Sequence, residues 1–421
     1  MAAIYNLFKK NSLKNALVFF ITFLPIFIYL LGLHPKYFGI NFQFGENLFG
    51  DLRVILAGVD VQRAIINNIS LLPELYMNIA PNQPIVVLNF LSYFNFITLA
   101  NVIYIGWFQV ILFNFLFYLF INSALRISNL SSAKFFVLLT LILLFYLSPI
   151  YTMMIFKGNI ESILVSLALL SSLLLTSSLH DKRPNLAYSL YLFLISSISL
   201  SKIFPLVFFS SPVFINNIIT KSKFLNYIKL AIIFLIFVFT IFFIYRNSYL
   251  NIISPEFTPR GSQVSFGLTY LQGYITESHS ITINMFYFVA FIIFIFTQIL
   301  NFFYFKSDFN KLEFNYILGM AFTGFLVFSV SYFFFHNWSY RYIWILLTVP
   351  YFIINFNIDN KKLIFYLIVF FVLMPFSNYT ALDRYLYANT FEVILFLIGA
   401  SFAFSFIIFC CLKLIYNLKN N

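Results

Sequence analysis

The chain has 421 residues, of which 62% are hydrophobic and 9% charged, with mean hydropathy +0.93 and formal net charge +12. Such a composition excludes an ordinary soluble domain, in which about a quarter of the residues are charged. The basic balance does not call for nucleic acid, because a polytopic membrane protein gathers Lys and Arg on its cytoplasmic side.

Leu, Ile, Phe and Val recur in runs long enough to cross about 30 Å of hydrocarbon. Lys9, Lys10 and Lys14 precede the apolar run Ala16–Leu33. That run is long for a signal peptide, lacks an Ala-x-Ala-like site and is followed by similar runs, so it is expected to be span 1 with a cytoplasmic N-terminus. Loop 34–84 is then external. Within it, Phe49–Arg63 concentrates Asp51, Arg53, Asp60 and Arg63. As one helix from Leu52, it places Arg53, Asp60, Arg63 and Asn67 on one face and Val54, Val61 and Ile65 on the other. A helix of this kind is expected to lie on the membrane surface. Asp51 follows Gly50, ahead of the first periodic residue, and is expected to be the N-cap.

The short apolar stretch Pro84–Ala100 reads as a re-entrant or interfacial segment leading into span 2, 102–122. Span 3 covers 135–155 and ends in the tight external turn Lys157-Gly-Asn-Ile-Glu161, which opens span 4, 162–179. Span 5, 185–201, and span 6, ending near 219, meet at the external corner Lys202-Ile-Phe-Pro205. Span 7, 228–245, precedes the second external loop, 246–283, which holds Glu256 and Arg260, spaced i,i+4 and able to pair. Span 8 covers 284–304 and span 9 covers 314–335. The external corner His336-Asn-Trp-Ser-Tyr-Arg-Tyr342 opens span 10, ending near 356. Spans 11, 363–377, and 12, 391–412, complete the chain. Cys410 and Cys411 are adjacent in the last span and offer neither disulfide nor metal spacing. The single histidines His279 and His336 also lack ligand spacing, so no metal is expected.

The fold class is thus all-α: a polytopic integral membrane protein of about 12 transmembrane helices with external loop helices, one domain over 1–421. On this topology cytoplasmic segments hold sixteen Lys and Arg against four acids, and external segments nine against nine. The whole net charge falls inside, as the positive-inside rule requires. Lys157, Glu161, Lys202 and Arg341 sit in corners too tight for free solvent loops, where charges are expensive unless paired, solvated or used. Basic groups on the same side as a loop carboxylate suit an anionic lipid head group beside a general base. The plainer readings stand beside this one: Asp51 as a cap only, Asp60 as the i,i+3 partner of Arg63, Lys202 snorkelling to the interface, and Arg341 in an aromatic belt with Trp338, Tyr340 and Tyr342.

The order of these motifs resembles the membrane glycosyltransferases of the GT-C fold, specifically glycosyltransferase family 87. The matching segments are Gly50-Asp-Leu-Arg-Val54, Pro81-Asn-Gln-Pro84, Lys157-Gly-Asn-Ile-Glu161, Lys202-Ile-Phe-Pro205 and Tyr340-Arg-Tyr342. The first loop departs from the family's usual Gly-x-x-Tyr ending, and the lysine corner lacks its first proline. The resemblance implies transfer of a hexose, mannose-like, from a polyprenyl-phosphate sugar to a lipid-linked or envelope glycan on the external face. It implies no cofactor and no nucleotide-binding loop. In this reading Asp51 is the catalytic base, and Lys157, Lys202 and Arg341 bind the donor phosphate. Asp60, Arg63, Asn159, Arg260 and His336 are further substrate-binding candidates. The place implied is a bacterial inner (plasma) membrane with both termini cytoplasmic. An envelope polysaccharide polymerase or ligase is the alternative. A transporter fits less well, because the spans are nearly free of charge.

Overall fold

The computed structural model describes residues 12–31, 48–67, 85–127, 131–148, 151, 158, 160–175, 182–201, 224–247, 265–266, 282–308, 316–334, 337–355, 361–377 and 390–420. Among them the chain is helical apart from one two-residue antiparallel pairing. The helices are α1 (Ser12–Leu30), α2 (Gly50–Ile66), α3 (Ile85–Ser92), α4 (Val102–Ile127), α5 (Ser132–Tyr146), α6 (Glu161–Leu175) and α7 (Pro184–Ser201). They continue as α8 (Phe224–Ile244), α9 (Ile283–Asp308) and α10 (Tyr316–Phe334). A 3₁₀ helix, Ser339–Thr348, runs into α11 (Val349–Asn355). The last two are α12 (Lys361–Ile368), prolonged by a π-helical turn Val369–Leu373 and Met374–Ser377, and α13 (Thr390–Asn420).

Among the described residues, three helices are long and apolar enough to cross a membrane: Leu99–Leu125, Asn284–Phe303 and Ile394–Lys413. Eight shorter apolar helices accompany them, and together they suggest membrane association. Each expected span coincides with one of these helices, save the sixth, near 206–219, which lies outside the described residues. One is shorter than expected: the helix assigned to 135–155 ends at Tyr146.

The core sits where α10, the 3₁₀ segment, α11, α12 and α13 meet; Tyr342 to Pro350 are all buried. Of the two long C-terminal spans, α13 is central and α9 peripheral: 72% of the apolar window is buried in the first and 22% in the second. Between these two, Gln298 Nε2 donates to the Ser401 carbonyl at 2.9 Å, Ser405 Oγ donates to Gln298 Oε1 at 2.6 Å, and Asn301 Nδ2 donates to Ser405 Oγ at 3.2 Å. Such interhelical bonds hold helices together where lipid offers no hydrophobic drive. α6 and α7 pack through buried serines, among them Ser166, Ser196 and Ser199, whose hydroxyls donate to carbonyls four residues back on their own helix. Small side chains that satisfy themselves let two helix backbones approach closely.

α3 has eight residues. At 1.5 Å per residue it is about 12 Å long, far short of the hydrocarbon thickness. It turns back at Ser92 and enters α4 through a short 3₁₀ turn, Leu99–Asn101. This agrees with the expectation that 84–100 does not span.

One expectation for the loop helix α2 is corrected. Its N-cap is Phe49, in the left-handed region at φ 61°, and Asp51 lies inside the first turn. Its buried face is Leu52, Ile55, Leu56 and Val59, the i, i+3, i+4, i+7 pattern of a packed helix. The face carrying Val54, Val61 and Ile65 is the outer one, with Ile65 exposed. The segment is apolar on two sides, and the charge pattern alone brought out only the outer one. α2 packs on α3 and on the start of α4 rather than resting only on a membrane surface.

Candidate functional site

The site is built around Phe49. Its ring is fully buried and meets the Trp107 ring edge-on at 5.8 Å. Two glycines make room for it. A Cβ on Gly106 would stand 2.3 Å from the Phe49 ring, and one on Gly158, at φ 59°, would stand 2.8 Å from it. Only glycine fits so close an approach, and at Gly158 the left-handed backbone favours it again. Phe49 thereby pins the N-terminus of α2 between the first turns of α4 and the turn that opens α6.

Asp51 follows two residues later, half-buried in the first turn of α2. A carboxylate there is favoured by the helix dipole, typically by about 0.3–1 kcal/mol. On the other side of the Gly158 turn, Glu161 opens α6 and is wholly buried. Its Oε2 accepts a hydrogen bond from Trp344 Nε1 at 2.8 Å, across 183 residues of sequence.

Trp344 belongs to the ten-residue 3₁₀ helix that begins at Ser339 and carries Arg341 on its backbone. Runs of more than three or four residues of 3₁₀ are uncommon, and this one is held from three directions. Glu161 holds Trp344. The Tyr342 hydroxyl donates to the Phe370 carbonyl at 2.7 Å. Gly324 of α10 lets the Trp344 carbonyl approach to 2.8 Å from where a Cβ would be. The Phe370 carbonyl is available for a physical reason. In the π-helical turn its partner would be the N–H five residues on, and that residue is Pro375, which has none.

The same corner is tied to the second external loop. Ser265–Phe266 pairs antiparallel with Asn337–Trp338, Ser265 opposite Trp338 and Phe266 opposite Asn337. Phe49 of the 34–84 segment thus meets Gly158 of the 157–161 turn, Glu161 of that turn bonds to Trp344 two residues past the 336–342 corner, and that corner pairs with Ser265–Phe266 of 246–283.

Asp60 and Arg63 are near neighbours at 2.6 Å, the i,i+3 pair expected from spacing. The rest of the Arg63 guanidinium donates to the carbonyls of Ser92, Phe94 and Ile97 at 2.8–3.0 Å, and Asp60 Oδ2 accepts from the Leu99 N–H at 2.9 Å. Both side chains are occupied in holding the 92–99 corner. Lys157, Asn159, Lys202, Arg260 and His336 lie outside the described residues. Glu161 is the group whose placement the sequence did not supply. It was visible only as an acid in a tight corner, since nothing local points to a tryptophan so far along the chain. Among the described residues no group of three His, Cys, Asp or Glu side chains gathers as a metal site.

No family model, no curated protein and no solved structure matches this chain.

Proposed function

We propose that this protein is a membrane glycosyltransferase of GT-C type with twelve spans, resembling family 87, in a bacterial inner membrane. It moves a hexose, mannose-like, from a polyprenyl-phosphate sugar to a lipid-linked or envelope glycan on the external face. The observation that carries this reading is the meeting of three motif segments far apart in sequence: the start of α2 with Asp51, the Gly158–Glu161 turn, and the 3₁₀ helix of Arg341 and Trp344. In this reaction Asp51 takes the proton of the acceptor hydroxyl as its oxygen bonds to the anomeric carbon. The anomeric carbon–oxygen bond to phosphate breaks with inversion. The lipid phosphate leaves with the electron pair, its charge met by Lys157, Lys202 and Arg341. Asn159, Arg260 and His336 remain candidates for sugar and acceptor contacts.

The test is to incubate membranes containing the protein with labelled polyprenyl-phosphate hexose and follow label into the glycan fraction. Asp51→Asn removes the base while keeping size and helix position, so inserted protein should retain donor binding and lose transfer about 10²–10⁴-fold. Normal transfer by Asp51→Asn would refute the assignment of the base. Absence of transfer from any polyprenyl-phosphate sugar by the unaltered protein would refute the reaction.

A further inference from the structure

The corner between α3 and α4 presents a contradiction if it faces water. Phe90, Tyr93, Phe94 and Phe96 are 39–74% exposed, and Tyr104 and Phe108 continue the surface along α4 at 77% and 65%. An aromatic patch of this kind on a wet surface is an association hazard. Its backbone is irregular, yet seven of its carbonyls are bonded within the protein. The carbonyls of Asn89, Leu91, Ser92, Phe94, Phe96, Ile97 and Thr98 each accept a hydrogen bond from within the protein. Three of these acceptors are served by the single guanidinium of Arg63, and the Leu99 N–H is taken by Asp60. The charges of Arg63 and Asp60 are balanced against each other at 2.6 Å.

Non-helical backbone survives at membrane depth only where the protein satisfies its polar groups. A neutral ion pair that spends its bonds on three carbonyls and one N–H of a loop of exposed aromatics works towards that condition. We infer that residues Ile85–Asn101 form a re-entrant wedge inserted among the acyl chains of the bilayer, with the Arg63–Asp60 pair standing in for water at its backbone. The occupant of the aromatic face is lipid hydrocarbon. This inference does not rest on the glycosyltransferase reading.

The test uses the full-length protein in phosphatidylcholine vesicles, with Phe96→Trp as probe and the parent protein's tryptophan signal subtracted. Insertion predicts quenching by lipids brominated along the acyl chain and little quenching by aqueous acrylamide. Arg63→Ala should reverse that preference, and Asp60→Asn should move it the same way by a smaller amount. Quenching of the Phe96→Trp probe by acrylamide alone, in otherwise unaltered protein, would overturn insertion. Quenching by neither agent until the protein is diluted into excess lipid would assign the face to a second copy of the chain and overturn lipid as its occupant. Acyl-chain quenching unchanged by both substitutions would overturn the role given to the ion pair.

Discussion

At the scale of single residues, the two acids of the first loop differ in what surrounds them. Asp60 is committed to Arg63 and to the Leu99 N–H, so its replacement acts first on the 92–99 corner. Asp51 stands where a helix begins, beside the pinned Phe49. The neighbouring glycines are the most demanding positions. Gly106→Ala would drive a methyl group into the Phe49 ring, whose far side is closed by Gly158 and Trp107. The expected loss is about 1–3 kcal/mol, the usual cost of overpacking a filled core. Thermal unfolding in detergent would read it, and a neutral Gly106→Ala would mean that Phe49 has somewhere else to go.

At the scale of elements, the 3₁₀ helix is held by partners distant in sequence. The bonds from Trp344 to Glu161 and from Tyr342 to the Phe370 carbonyl fix the segment that carries Arg341 in its backbone. Tyr342→Phe removes the hydroxyl that reaches the Phe370 carbonyl and Met374 Sδ with little change in volume, and should cost about 1 kcal/mol of stability. Trp344→Phe also removes volume from the core and leaves the buried Glu161 carboxylate without that donor, and should cost about 1–3 kcal/mol. The proposed donor contact through Arg341 adds a second expectation, a rise in donor KM ahead of any fall in kcat. A stability loss with donor KM unchanged in both variants would confine these bonds to folding.

At the scale of the molecule, the Lys and Arg bias sorts the loops into two sides without reference to structure. The approach of Phe49 to Gly158 and the pairing of 265–266 with 337–338 join segments that this reading puts on one side. Twelve spans with both termini inside predict that a cysteine introduced in 34–84 is labelled by an impermeant reagent on intact cells. One beside Lys182 should be labelled only after permeabilisation. The reverse pattern would put Asp51 on the wrong face for the reaction proposed.

How much of this was legible beforehand follows from the range of each interaction. Helix-forming apolar segments are local, and composition with run length located the described ones, although one end moved inward, to Tyr146. The Asp60–Arg63 pair was legible because i,i+3 spacing is itself local. The inability of 84–100 to span was legible from its length. The buried face of α2 was not, because both of its sides are apolar and only the presence of α3 and α4 against one of them decides between the two. The N-cap at Phe49 was hidden for a related reason: the left-handed turn there is imposed by a ring wedged between Gly106 and Gly158. Glu161 and Trp344 meet across 183 residues, and no local pattern encodes a contact of that range. The sequence by itself determined which segments are apolar helices and how charge is shared between their ends. Only tertiary packing decided which loops touch, because those contacts belong to side chains brought together by the whole bundle.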